Sequence, residues 1–183
     1  MTEAELRKKL LVVLTGPSGA GKTTVIQEVL RTDPTLTGKV ITTTTRSPRP
    51  GESQGIHYDF MSPERFQSCV EAGEFLEHQR PYGHRYGTRW PRVLQVFENC
   101  PVALLTLDPI GAVALQSTYT RSRLLTIFIE PGSLSELTDR LTTRGDDRAK
   151  LEARVAAAQE EMALADQFDF RVVNGDGDQG IKL

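Results

Sequence analysis

The segment between the first apolar run and the first helical pattern is the strongest constraint on how this chain folds. Residues Gly16 to Thr23 fit the pattern GxxxxGK[ST], directly after the apolar run Leu10 to Thr15 and directly before a helical pattern. Glycines let successive backbone N–H groups turn toward a phosphate chain, and the helix N-terminus adds positive potential. Lys22 offers a charge to the terminal phosphates, and Thr23 can ligate Mg²⁺. The sequence therefore predicts a triphosphate-binding loop.

This loop lies in a chain that alternates apolar and helical patterns. Near-continuous apolar runs suit a parallel sheet that is covered on both faces. We predict an α/β fold with a phosphate-loop core and a five-stranded parallel sheet. The predicted strands are Leu10–Thr15, Val40–Thr45, Val102–Leu107, Leu124–Ile129 and Phe168–Val173. The predicted helices are Thr23–Arg31, Ser62 to near Gly73, Ser133 to Gly145 and about Asp147 to Asp166, the second and third with serine caps.

Composition limits the partners of this fold. A chain of 183 residues suits one core, and a net charge of -2 gives no global attraction to nucleic acid or to acidic membranes. The longest apolar run, Leu10 to Leu14, is too short to span a bilayer. Cys69 and Cys100 lie far apart without a CxxC motif, which favours reduced thiols. We expect a cytoplasmic protein without nucleic-acid or membrane partners, and the oligomeric state stays open.

The phosphate loop alone does not identify the reaction, because GTPases, motor proteins and small-molecule kinases share it. Asp108 to Gly111 matches the GTPase pattern DxxG, but the pattern NKxD occurs nowhere in the chain. The GTPase interpretation is therefore weakened. An insertion of about fifty residues, Thr42 to Trp90, is dense in anion-binding and hydroxyl-bearing side chains. This composition predicts a second substrate site.

The insertion begins with TTTTRSPRPGE, Thr42 to Glu52, which suits either a flexible linker or a stiffened anion-binding loop. Arg46 and Arg49 are separated by a proline that limits the backbone, so their guanidinium groups can clamp one phosphate. Tyr58 and Tyr86 add hydroxyl donors, although either tyrosine also suits a purely structural place in a sheet.

Two acids also stand out. Glu77 follows the apolar pair Phe75-Leu76, and Asp108 ends a predicted strand. A solvated surface position is one interpretation of Glu77, and a ligand of Mg²⁺-bound water is one interpretation of Asp108. The other interpretation of both carboxylates is recognition of a nucleotide base.

Several motifs together carry a resemblance to a known family. Gly16–Thr23, Thr42–Glu52 continuing into Gly55–Phe60 (GIHYDF), Glu71–Glu77 (EAGEFLE) and Tyr86–Thr88 resemble guanylate kinase in order and spacing, from Leu10 to about Asn174. The resemblance implies the reaction ATP + GMP to ADP + GDP, with Mg²⁺, and dGMP as a further acceptor. It also implies a core of residues 1–41, 91–130 and 160–183, an inserted GMP-binding domain of residues 42–90 and a helical lid of residues 131–159.

The resemblance further implies roles for single residues. ATP is assigned to Gly16, Pro17, Ser18, Gly19, Ala20, Gly21, Lys22, Thr23, Thr24 and Asn174, with Asn174 near the adenine. The GMP phosphate is assigned to Arg46, Arg49, Tyr58 and Tyr86. The guanine is assigned to Thr42, Glu77, Thr88 and Asp108. The catalytic set is Lys22, Arg46 and the lid arginines Arg140, Arg144 and Arg154. Carboxylates suit guanine, because its N1–H and N2–H₂ groups are hydrogen-bond donors. Adenine has an acceptor at N1 and would leave the carboxylates unpaired.

One departure keeps other functions open. Thr106 stands two residues before Asp108, where family members usually carry an acid. A guanylate-kinase-like binding module with little or no catalysis is therefore an alternative. A kinase for a different nucleoside monophosphate is a second alternative.

Overall fold

The structure, a computed structural model, places five parallel strands in one core sheet. It describes residues 5, 8–80, 83–142 and 148–175. The core strands are β1 Leu10–Thr15, β2 Thr37–Lys39, β7 Val102–Thr106, β8 Leu124–Pro131 and β9 Phe170–Asn174. Their order across the sheet is β2-β7-β1-β8-β9. The prediction of an α/β fold with a five-stranded parallel sheet is confirmed.

Strand β1 lies in the middle of this sheet and is buried on both faces. Leu11 and Val13 belong to a core cluster that includes Phe128. Val12 and Leu14 belong to a second cluster on the other face. Because successive side chains of a strand point to opposite faces, the apolar run buries both of its faces. The carboxyl end of β1, where the phosphate loop begins, is thus held rigidly.

Helices cover the core sheet and extend from it. Their bounds are α1 Lys22–Thr32, α2 Pro63–Glu71, α3 Trp90–Asn99, α4 Pro109–Thr118, α5 Leu134–Thr142 and α6 Arg148–Met162. Ser62 caps α2 by accepting a hydrogen bond from the Arg65 N–H at 3.2 Å. Ser133 accepts one from the Glu136 N–H at 3.1 Å. Both serine caps that the sequence predicted are therefore present. No helix of the described residues is long and apolar enough to cross a membrane.

A second sheet is built from the chain between β2 and α3. Its strands are β3 Thr43–Thr44, β4 Asp59–Phe60, β5 Phe75–Gln79 and β6 Tyr86–Arg89, in the order β4-β3-β6-β5. The predicted core strand Val40–Thr45 is wrong, because the chain crosses between the two sheets there. β2 ends at Lys39, and Thr43 already pairs with β4 and β6. A β-branched run indicates extended backbone but not the sheet that receives it.

The helix predictions need three further corrections. Helices α3 and α4 were not predicted, although Asp108 caps α4 and Pro109 occupies its first turn. Helix α6 ends at Met162 and is followed by a 3₁₀ turn, Ala165–Gln167, so the predicted end at Asp166 is too late. No glycine or proline marks the true end of α6.

Both cysteines are free thiols, as expected.

Candidate nucleotide-binding site

The loop from β1 to α1 has a backbone that only glycine supports at three positions. Gly16, Gly19 and Gly21 have φ angles of 129°, 94° and 89°, in the region that L side chains rarely adopt. A Cβ on Gly16 would lie 2.2 Å from the carbonyl oxygen of Ile129, and one on Gly21 would lie 2.1 Å from Nδ2 of Asn174. The glycines of the motif are therefore required by both conformation and space.

Lys22 is folded back on this loop. Its ammonium donates to the carbonyl oxygens of Gly16 at 2.5 Å and Pro17 at 2.9 Å. Thr23 and Thr24 follow in the first turn of α1 and are exposed. The first turn contains no acid, and Gly21 provides no side-chain cap. The positive end of α1 is thus directed at the loop, as an anion site requires.

The end of β9 and the helix α5 meet at the same loop. Asn174 donates from Nδ2 to the carbonyl oxygen of Ala20 at 2.8 Å, and its own carbonyl oxygen accepts from Nη1 of Arg140 at 3.1 Å. Arg154 is half-buried on α6. Arg144 lies outside the described residues. The structure thus brings Arg140 and Asn174 to the phosphate loop.

The second sheet presents a separate cluster around Arg46. Its two Nη atoms bind the carboxylate oxygens of Glu52 at 2.8 and 2.9 Å, and its Nε donates to the Tyr86 hydroxyl at 3.2 Å. The guanidinium carbon lies 5.4 Å from the centre of the Tyr58 ring. The hydrogen bonds with Glu52 raise the pKa of Arg46, and the same contact lowers the pKa of Glu52. Arg46, Tyr58 and Tyr86 therefore lie together in one cluster.

Glu52 also closes the loop that carries both arginines. Its carboxylate accepts the Arg49 N–H at 2.8 Å, and its own N–H donates to the Arg49 carbonyl oxygen at 3.0 Å. The side chain of Arg49 is exposed, and Thr42 is half-buried at the entrance of the second sheet. The segment Thr42–Glu52 is thus a stiffened loop and not a flexible linker. Sequence reasoning missed Glu52, although its position after a PRPG turn was a usable signal.

Glu77 lies in the second sheet and is buried. Its Oε1 accepts from the hydroxyl of Thr88 at 2.7 Å, and the two residues pair across strands β5 and β6. Burial raises the pKa of Glu77 to about 7, and the nearby charge of Asp108 acts in the same direction. The interpretation of Glu77 as a solvated surface acid is therefore wrong.

Asp108 divides its two oxygens between two partners. Its Oδ1 accepts from the Gly111 N–H at 2.8 Å, which caps α4, and its Oδ2 accepts from Nε2 of Gln79. A cavity of about 430 Å³ lies between β5 and α4, and Glu77, Gln79 and Gly111 are among its lining residues. The electrostatic effect of Asp108 on Glu77 places these two acids in one region. Gln79 was not predicted, and no local pattern points to it.

A further acid, Glu161, lies near the phosphate loop. It belongs to the last turn of α6. Burial raises the pKa of Glu161, whereas the charge of Lys22 and a hydrogen bond with the backbone of Ser18 act in the opposite direction. Helix α6 therefore brings the Glu161 carboxylate toward the phosphate loop. No sequence pattern had pointed to this acid.

Comparisons with known proteins assign the chain to one family. A family model described as guanylate kinase matches residues 8–182. The chain belongs to the guanylate kinase family. A guanylate kinase of Thiobacillus denitrificans is 40% identical over 174 residues, which cover 94% of this chain and 82% of that protein. One of Salinibacter ruber is 41% identical over 174 residues, which cover 94% and 91% of the two chains.

A solved structure agrees with the guanylate kinase assignment. The crystal structure of guanylate kinase from Anaplasma phagocytophilum superposes with a TM-score of 0.72 and 28% sequence identity. The match covers 91% of this chain and 77% of that chain. Membership in the guanylate kinase family supports an enzyme that phosphorylates GMP, with ATP as the other substrate. The alternative of a binding module without catalysis is not favoured.

Proposed function

We propose that this chain transfers the γ-phosphoryl group of ATP to GMP, and also to dGMP, between two anion sites. The observation that carries the proposal is the pairing of a glycine-built phosphate loop on the core sheet with the Arg46 cluster on the second sheet. The core comprises residues 1–41, 91–130 and 160–183, the GMP-binding domain residues 42–90 and the lid residues 131–159. From family membership alone we place the reaction in cytoplasmic purine nucleotide metabolism.

In this proposal the loop residues Gly16 to Thr24 hold the phosphates of ATP. Lys22 exchanges the carbonyl oxygens of Gly16 and Pro17 for phosphate oxygens, which carry full charge and attract the ammonium more strongly. Mg²⁺ takes oxygen ligands and usually keeps several waters and phosphates. The described residues contain no group of three His, Cys, Asp or Glu that could hold a metal ion. The Thr23 hydroxyl would hold a Mg²⁺ ion that arrives with ATP, and the ion would neutralise charge on the phosphates.

The phosphate of GMP is assigned to the loop that carries Arg46 and Arg49. Arg46 stands between the Tyr58 ring and the Tyr86 hydroxyl, while Arg49 is exposed at the end of the same loop. Phosphate oxygens accept hydrogen bonds from guanidinium and phenol groups, so these side chains form a consistent donor set. A phosphate acceptor is already ionised near neutral pH and needs no general base.

The guanine is assigned to the buried acid Glu77 and the half-buried acid Asp108. Glu77 and Asp108 lie in one region and can accept from the N1–H and N2–H₂ groups, with Thr42 and Thr88 completing the site. Adenine has an acceptor at N1, so it would leave a buried carboxylate unpaired. Unpaired buried groups of this kind separate substrates by several orders of magnitude.

The lid completes the charge neutralisation in this proposal. Helices α5 and α6 pack through Leu137, Leu141 and Ala158. A Cβ on Gly19 would lie 2.9 Å from Leu137, so α5 rests directly on the phosphate loop. Arg140, Arg144 and Arg154 are assigned to the phosphates, and closure of the lid over them excludes water from the reacting oxygens.

A coupled kinase assay with ATP and a panel of GMP, dGMP, AMP, UMP and CMP tests this function. We expect turnover with GMP and dGMP and little with the other three. Background turnover with GMP, in a protein that still binds ATP and GMP, would overturn it. Preferred turnover of AMP, UMP or CMP would instead assign the enzyme to another monophosphate.

A further inference from the structure

Gln79 connects the second sheet to the core through one side-chain hydrogen bond. It is the last residue of β5, and its Nε2 donates to Oδ2 of Asp108, which lies in the turn between β7 and α4. A Cβ on Gly111 would lie 2.9 Å from this Nε2, so the glycine leaves the space that the amide uses. The bond therefore spans the gap between β5 and α4.

The bond takes the oxygen of Asp108 that a ligand would need. Oδ1 is held by the Gly111 N–H at 2.8 Å as the cap of α4. Because this cap stabilises α4, Oδ1 stays with the helix. Oδ2 is then the oxygen that remains for a base, and it is the atom that Gln79 occupies.

The amide of Gln79 is also chemically similar to the expected ligand. A primary amide presents an uncharged NH₂ donor, and the exocyclic amine of guanine is an uncharged NH₂ donor as well. Gln79 lies two residues after Glu77 on the same strand, so both side chains project from the same face of the sheet. Both residues line the cavity between β5 and α4.

We propose that Gln79 occupies part of the guanine subsite when no nucleotide is bound, and that GMP must displace its amide from Asp108. Gln79 is then a latch between the second sheet and the core, and it lowers the affinity for GMP. The inference rests on the proposed function, since that function assigns Asp108 to the base. A latch that is closed in roughly 70 to 90% of molecules reduces the apparent affinity about 3- to 10-fold.

Gln79→Ala tests the latch, with GMP binding measured by calorimetry in the absence of ATP. We expect the Kd for GMP to fall about 3- to 10-fold and the Kd for ATP to stay the same. Gln116→Ala is the matched control, because Gln116 lies on α4 and loses its bonds to Thr126 and Gln167 instead. We expect this control to leave the Kd for GMP unchanged.

A second background separates the latch from the site assignment. Asp108→Ser keeps a capping oxygen for α4 but removes Oδ2, the acceptor of Gln79. We expect Asp108→Ser to weaken GMP binding, and we expect Gln79→Ala to have no further effect in that background. An unchanged or raised Kd in Gln79→Ala alone would overturn the latch and leave the proposed function intact. Equal GMP affinity of Gln79→Ala and of the double variant Gln79→Ala/Asp108→Ser, both of which lack the latch, would overturn the base assignment and the latch together.

Discussion

Arg46 and Glu52 form a two-pronged ion pair in which each Nη atom meets one carboxylate oxygen, at 2.8 and 2.9 Å. Nη1 also donates to the Ser47 carbonyl oxygen at 2.7 Å. The end of the guanidinium is thus fixed, and its Nε donates to the Tyr86 hydroxyl. This geometry makes Glu52 the residue that orients Arg46.

Glu52→Gln should therefore weaken the binding of GMP more than that of ATP. The amide keeps the size of the side chain but loses the charge that fixes Arg46. We expect KM for GMP to rise about 10- to 100-fold, the range for a lost hydrogen bond to a charged group, with KM for ATP unchanged. Initial rates at varied GMP and varied ATP check this. Glu28→Gln, which breaks an exposed pair with Arg31, is the matched control. Equal increases in both KM values would contradict the assignment.

Lys22→Ala should reduce kcat by roughly 100-fold or more, because one preorganised charge at a transferring phosphoryl group has an effect of this size. The ammonium also bridges the Gly16 and Pro17 carbonyl oxygens in the free protein. Thermal unfolding of the variant should accompany the kinetic assay, so that a collapsed loop is distinguished from a lost charge. Substantial turnover in a variant that unfolds at the normal temperature would remove the role of Lys22.

The phosphate loop was predictable because its requirements are local. The strand, the glycines, the lysine and the helix follow one another in the chain. Gly16, Gly19 and Gly21 have the positive φ angles that a phosphate-binding loop requires. The parallel sheet was predictable for a similar reason, since each buried strand is a short apolar run. The capping serines of α2 and α5 also act within one turn.

The remaining features depend on contacts between distant segments. Gln79 and Asp108 are 29 positions apart, and Glu161 approaches a loop near the other end of the chain. Neither hydrophobic periodicity nor the spacing of a motif encodes a contact between residues so far apart in the chain. Val40–Thr45 was assigned to the wrong sheet for the same reason, because β propensity does not specify the partner strand. The sequence left the exposure of Glu77 undecided, because the burial of this side chain depends on the pairing of its strand, β5, with β6.

The pKa of Glu77 predicts how GMP binding depends on pH. In the proposed site the ionised carboxylate of Glu77 accepts hydrogen bonds from guanine, and burial raises the pKa of this group to about 7 in the free protein. Protonation therefore opposes binding, and KM for GMP should rise as the pH falls below about 7, by roughly 10-fold per pH unit at the limit. KM for GMP measured between about pH 5.5 and 8.5 checks this. A normal carboxyl with its pKa near 4.5 would add nothing over that range to the change caused by the GMP phosphate itself, whose second pKa is about 6.

Glu77→Gln should remove the part of this pH dependence that Glu77 causes, leaving that of the GMP phosphate, and should reduce the preference for guanine. The amide cannot accept from both N1–H and N2–H₂, so the ratio of kcat/KM for GMP to that for AMP should fall by about 10-fold or more. ATP binding should change less than GMP binding. An equal loss of both affinities would show that Glu77 supports the fold and does not select the base.

Asn174 offers a test of whether it acts on the adenine or on the phosphate loop. Its Nδ2 donates to the Ala20 carbonyl oxygen at 2.8 Å and lies against Gly21, so the amide supports the loop directly. We expect Asn174→Ala to raise KM for the nucleoside triphosphate about 3- to 10-fold, as the loss of one net hydrogen bond would. Because the proposed function assigns the loop to phosphates, ATP and GTP used as donors should lose the same factor if Asn174 acts through the loop. A larger loss with ATP than with GTP would instead place Asn174 at the adenine.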